Sequence, residues 1–154
     1  MHDPSSDQAQ SLGAEMHDMM ARLFPICRSI TGNGVRETFA ILQNIIGLDV
    51  HEVPSGTRCF DWTVPEEWNI KDAYVKAPDG RRIIDFQKSN LHVMGYSIPV
   101  NTEMCLEDLK PYLYADPTQP DAIPYLTSYY QRRWGFCLSQ SALDAMQPGL
   151  YKLK

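Results

Sequence analysis

The sequence has no long apolar run, little basic charge and few histidines, and each shortage removes a class of function. No stretch approaches the ~18 apolar residues that span a bilayer, and the N-terminus lacks the charged-then-apolar order of a signal peptide. No membrane partner is therefore expected, and the location expected is cytoplasmic. Lys and Arg number 14 against 19 Asp and Glu, a net charge of -5. Arg81-Arg82 and Arg132-Arg133 are only isolated basic pairs, and an acidic chain without a basic stripe is a poor partner for nucleic acid. The four cysteines, Cys27, Cys59, Cys105 and Cys137, form no close pair of metal-ligand or redox type, so they should be reduced and buried. Of the histidines, His2 falls in the N-terminal lead-in. The chain has no Gly-x-Ser-x-Gly, no paired-histidine zinc helix, no phosphate loop and no dinucleotide fingerprint. Carboxylates such as Asp61, Glu66, Glu67, Asp72 and Asp85 show no spacing that singles out an acid-base pair.

What is present is enough for a folded domain: 154 residues, of which 44% are apolar. Residues 1–10 are polar and read as a disordered tail, with Ser11 able to cap a helix after it. Leu12, Met16, Met19, Met20 and Leu23 make the apolar face of this first helix, and Pro25 ends it. Thr31 to Gly34 is a turn. Val35, Phe39, Leu42 and Ile46 then share one face of a second helix, which would form an antiparallel pair with the first. With Gly34 as N-cap, Glu37 takes the acidic position of a capping box.

At Gly47 the pattern changes from helical to extended. Val50–Val53 and Cys59–Val64 read as strands around a turn at Pro54–Thr57. Pro78-Asp79-Gly80 between two extended runs is a strong hairpin signal. Leu91–Pro99 alternates as a strand with His92, Met94 and Tyr96 on one face. Leu106–Leu113 is a short helix, Asp116–Pro124 a loop, and Ser139 opens another helical segment before a terminal strand from Leu150. Tyr125 to Leu138 gathers aromatics and arginines around Gly135, either to stack on a ligand or as a docking strand with solvated arginines. The fold class read from these elements is α+β: a helix pair followed by a β-rich, hairpin-containing part.

The densest set of backbone-shaping residues lies between the helices. A Gly-Asn-Gly turn feeding a helix N-terminus, flanked by Arg28 and Arg36, would suit an anion or a carboxylate. An ordinary connection with two solvated arginines accounts for the same residues.

Four stretches carry a resemblance: MHDMMARLFPICRSITGNGVRET, HEVPSGTRCFDWTVPEEWNIKDAYV, SNLHVMGYSIPV and PYLTSYYQRRWGFCLS. In this order they resemble the N-terminal third of a bacterial aminopeptidase-like family, domain of unknown function 4910, often encoded beside polysaccharide-biosynthesis genes. The resemblance implies a zinc-exopeptidase-like α/β architecture, here partial and truncated. Residues 11–47 would belong to the peptidase domain and 48–154 to a β-rich inserted domain, incomplete at its C-terminus. It implies zinc and a small peptide or amide-containing substrate for the full-length protein. The family's metal-binding motifs lie beyond Lys154, so no metal ligand, catalytic residue or cofactor is expected in this chain, which would be an inactive portion of a metallo-aminopeptidase. Substrate contacts in the full-length protein would come from Arg28, Gly32, Asn33, Gly34 and Arg36, with His92 and Trp134 as weaker candidates. A non-catalytic binding or structural module is the alternative. Apolar surface left uncovered would favour self-association.

Overall fold

The computed structural model describes residues 4–154, with side chains from Ser11 onward. They divide into two compact units, one reaching Val53 and the other starting at Pro54.

In the N-terminal unit, helix α1 spans Pro4–Leu23. It starts before the expected Ser11 cap, so residues 4–10 are helical where a tail was expected; proline is well suited to a first helical turn, because its missing N–H would have no partner there. The helix ends where Pro25 forbids continuation, and the Arg28 guanidinium donates to the carbonyl of Leu23, satisfying one of the open acceptors of the last turn. Helix α2 is Asn33–Leu42, capped by Gly32 rather than Gly34. Gly32 has φ 101, a conformation that favours glycine. Consequently no acidic residue lies in the first turn, and the anticipated capping box does not form. Gly34 is required for a different reason: a Cβ there would stand 2.0 Å from the carbonyl oxygen of Cys27. Beyond Leu42 the chain turns, so Ile46 lies outside the helix, and Val50–Val53 is not a strand because no partner strand reaches it.

Among the described residues of this unit, only Gly32 and Thr38 are buried. Thr38 donates to the carbonyl of Gly34 at 2.8 Å and steadies the start of α2. Leu12, Met16 and Met20 are 57–61% exposed, so α2 does not cover this stripe in the manner of the expected antiparallel pair. Ten-residue α2 is too short to bury a helix of twenty residues.

The C-terminal unit is built around an antiparallel sheet. It opens with a small hairpin, β1 (Arg58–Cys59) and β2 (Trp62–Thr63), where a continuous strand was expected. Phe60 takes φ 53 and turns the chain back. The Asp79-Gly80 hairpin forms as anticipated between β3 (Tyr74–Lys76) and β4 (Arg82–Asp85), with Gly80 at φ 84 and Asp79 accepting from the Arg81 amide at 2.9 Å. β5 is Thr102–Cys105; α3 (Leu106–Leu109) runs into a 3-10 turn at Lys110–Tyr112, where Pro111 interrupts α-helical bonding. β6 (Leu113–Tyr114) pairs in parallel with β7 (Phe136–Cys137). α4 (Gln140–Asp144) is capped by Ser139, whose hydroxyl accepts from the Ala142 amide at 3.1 Å. β8 (Leu150–Leu153) completes the main sheet in the order β4-β3-β8-β5.

Strand alternation sets the core. In β8, Tyr151 and Leu153 point inward while Leu150 and Lys152 remain exposed. They meet Val75, Ile84, Leu106, Leu109 and Phe136, all buried; each such aliphatic or aromatic side chain contributes about 1.5–3 kcal/mol relative to exposure. The four cysteines are free, but only Cys137 is buried, contrary to expectation: Cys27 and Cys59 are half-buried, and Cys105, at the end of an edge strand, is exposed with its thiol facing Asp108 at 3.1 Å. The molecule is thus α+β, and no helix among the described residues is long and apolar enough to cross a membrane.

Candidate functional site

In the loop between α1 and α2, both arginines have intramolecular partners. Arg28 is held by Leu23 as described, while Arg36 pairs with Glu52 at 2.8 Å and donates to the Asn33 side chain at 3.2 Å. The amides of Val35 and Arg36 both point to the Gly32 carbonyl. An incoming anion would compete with these contacts, and the Arg36–Glu52 pair, exposed on both sides, is of the weak kind.

His92 and Trp134 lie in the other unit and take different roles. Leu91–Pro99 is not a strand: Asn90–His92 form a 3-10 turn, Val93 and Gly95 make single bridges to Phe136 and Thr127, and Tyr96 turns to φ 64. Left-handed Tyr96 interrupts the alternation, so His92, Met94 and Tyr96 do not share a strand face. His92 Nδ1 lies 2.8 Å from the carbonyl oxygen of Cys137. It addresses the backbone, not the thiol, and burial pushes that thiol up to about 11. A Cys-His nucleophile is therefore not assembled here.

Trp134 lines one of the grooves in this unit. That groove encloses about 600 Å³ between Trp68, Ile70, Val93, Ile98, Trp134 and Phe136. Its two indoles are fixed from behind. Trp134 stacks on Tyr112, centroids 3.9 Å apart and planes 10° from parallel, and meets Phe136 edge-on. Trp68 stacks on Tyr96 and donates its indole N–H to the Ser97 carbonyl at 3.0 Å. Asp72 contributes a carboxylate to the wall; its Oδ2 receives Arg82 at 3.4 Å, while Oδ1 is buried with no hydrogen-bond partner in the protein. Largely apolar walls with a few polar groups are the usual make-up of a small-molecule site.

A smaller groove of about 380 Å³ shares Trp68 and Ser97 to Pro99 with the first. Its outer wall is Tyr96, Tyr129 and Tyr130, and its rim carries Glu66 and Arg132, paired at 2.9 Å. The Tyr129 hydroxyl titrates above the ordinary tyrosine range, chiefly through burial, with Tyr130 and Tyr96 adding to the shift. The cation-π contacts among the described residues lie outside this groove: Lys76 and Arg82 both sit over Tyr74. Arg132 binds Glu66 instead, as a solvated arginine would.

Among the described residues no three His, Cys, Asp or Glu side chains converge as metal ligands. A zinc ion needs three or four converging ligands, and the described residues do not bring such a set together.

Sequence reasoning singled out Trp134 but missed Trp68. Its one available signal was the Trp within the Pro-Glu-Glu-Trp break, a large aromatic where the chain is neither helix nor strand. The partner Tyr112 is far from Trp134 in sequence, and no local pattern links them.

Residues 67–154 match the family described as domain of unknown function DUF2172. A Clostridium acetobutylicum protein provisionally described as a polysaccharide biosynthesis protein with aminopeptidase-like domain is 58% identical over 134 residues, covering 87% of this chain and 31% of that protein. A crystal structure of a protein from the same organism, provisionally described as a peptidase, superposes with a TM-score of 0.91 at 53% identity over 96% of this chain and 35% of the other. The chain spans about a third of the length of these relatives.

Proposed function

This chain belongs to the DUF2172 family, whose relatives here are aminopeptidase-like, and from that premise we propose that it is the substrate-binding portion of a hydrolase that cleaves peptide or amide bonds. The observation that carries this reading is the groove lined by Trp68 and Trp134, whose two tryptophans are held in place by independent stacking partners before any ligand arrives. Binding surfaces arranged in advance lose less entropy when occupied.

We place the longer protein with domain of unknown function 4910 and a zinc-exopeptidase-like architecture, in the polysaccharide-biosynthesis setting that one relative's description names. Zinc would be held outside the residues of this chain, whose own side chains form no ligand cluster among those described. Arg28, Gly32, Asn33, Gly34 and Arg36 would hold a carboxylate or phosphate of the substrate, with Arg28 released from Leu23 to do so. Four free cysteines fit a reducing, cytoplasmic setting. The exposed Leu12, Met16 and Met20 stripe supports self-association of the isolated chain.

The test uses the full-length Clostridium acetobutylicum relative and aminoacyl amides. Alanine at the position of Trp134 should raise KM severalfold at unchanged kcat, the pattern of lost binding, with a lower melting temperature from the lost Tyr112 and Phe136 contacts. Alanine at the position of Arg28 should raise KM or lower turnover. Wild-type kinetics in both variants would refute the binding role, and equal losses of folding and activity would make both residues structural. The alternative, a binding or structural module without chemistry, predicts no amide hydrolysis by the full-length relative loaded with zinc.

A further inference from the structure

We propose that the smaller groove of the C-terminal unit binds a neutral saccharide ring, stacked on Tyr130 and hydrogen-bonded by Glu66 and Arg132. This goes beyond the hydrolase reading and does not depend on it.

Four rings run in succession to the rim of this groove. Trp68 stacks on Tyr96, Tyr96 meets Tyr129 edge-on at 5.0 Å and 90°, and Tyr129 meets Tyr130 at 4.4 Å and 69°. The outermost, Tyr130, is 65% exposed. A tyrosine fixed from one side and open on the other presents apolar area to water at little further loss of side-chain freedom on binding. The backbone below it is held unusually. Tyr96 adopts φ 64, uncommon for a bulky residue, and buried Ser128 secures it by donating to the Tyr96 carbonyl at 3.0 Å. Such conformations persist where surrounding structure enforces them and gather at ligand clamps.

The rim selects the chemistry. Glu66 and Arg132 neutralise each other at 2.9 Å, and the second carboxylate of the lining, Glu67, accepts from the Asn69 side chain at 2.9 Å, so the rim offers hydrogen-bonding groups that are already partnered. Together with Gln131 they offer acceptors and donors beside one exposed ring. A pyranose matches this arrangement, with a C–H face for the ring and hydroxyls that both donate and accept. A proline-rich strand fits less well, because its grooves need aromatic ridges side by side, and these rings cross at 69° and 90°.

The test is an amide-resolved NMR titration of the 154-residue chain with cellotriose, maltotriose and chitotriose, and separately with decaproline. At least one trisaccharide should shift the amides of Tyr129 to Arg132. Tyr130→Ala should weaken that binding about tenfold, whereas Tyr130→Phe, which keeps the ring, should leave it nearly unchanged. Tyr130 is on the surface, so both variants should keep the wild-type spectrum elsewhere. The proposal is overturned if no trisaccharide moves these amides, if Tyr130→Ala binds as well as wild type, or if decaproline moves them in place of the sugars. Amide hydrolysis by the full-length relative can succeed or fail without altering any of these results.

Discussion

The two units spend their apolar residues differently. In the unit from Pro54 onward, Val75, Ile84, Leu109 and Leu153 are fully buried. In the unit up to Val53, the described large apolar residues include Phe24 at 82% exposed, Met16 and Met20 at 61%, and only Gly32 and Thr38 are buried. Similar sequence patterning thus gives a packed core in one place and an uncovered stripe in the other. Amphipathic spacing states which face a helix would bury; whether it does so depends on a partner surface.

The largest effect that could break this comparison comes from matched truncations. Ile84→Ala or Leu153→Ala should cost about 2–5 kcal/mol in urea unfolding, because each leaves a cavity. Met16→Ala should change stability by no more than about 0.5 kcal/mol, since its side chain is in water already. Similar losses at Met16 and Leu153 would mean that the N-terminal unit has cover in solution. Met16→Lys sharpens the point in a second way: if the stripe drives self-association, sedimentation should show less of it in this variant.

Next in size is a glycine contrast within the weaker unit. Gly34→Ala should destabilise the loop by at least about 1 kcal/mol, since the new Cβ meets a backbone carbonyl that cannot move alone. Gly13→Ala, on helix α1 with nothing within 4 Å of the added carbon, should instead favour the helix by about 0.5–1 kcal/mol. Circular dichroism and amide exchange across 11–42 read both outcomes. No difference between the two would deny the Cys27–Gly34 approach a structural role.

The smallest effect concerns pH. Burial raises the folded Cys137 thiol to about 11 from a value of 9.0, so the unfolded chain loses its proton first. Its contribution is complete below about pH 9 and is lost as pH rises towards 11. Cys137→Ala should make the alkaline decline in unfolding midpoint shallower. Iodoacetamide should modify exposed Cys105 well before buried Cys137. Equal rates would show that the core opens readily.

Local chemistry made part of this fold legible. The Asp79-Gly80 hairpin and the Ser139 cap each depend on residues within a few positions of one another, and each formed. Val50–Val53 had strand composition but no neighbour to pair with. Leu91–Pro99 alternated correctly, yet Tyr96 left the extended region under constraints from Ser128, a residue of another segment. The site divides in the same manner. Trp134 could be named from its aromatic, arginine-rich surroundings, whereas its backing by Tyr112, and the pairing of Trp68 with Tyr96, are tertiary facts without a spacing signal.

Strand β8 has a consequence for the order of events in folding. Leu153 pairs with both Val75 and Thr102, so the two sides of the main sheet meet only through a strand made long after either of them. The β3-β4 hairpin can close while the chain is still being synthesised, but its inner edge stays open until Leu150–Leu153 emerge. Pairings so distant in sequence are slow to nucleate, and an unpaired edge is open to association with other chains in the interval. A nascent chain halted before Leu150 would be expected to hold a hairpin without a sheet, and to depend on chaperones for as long as the halt lasts.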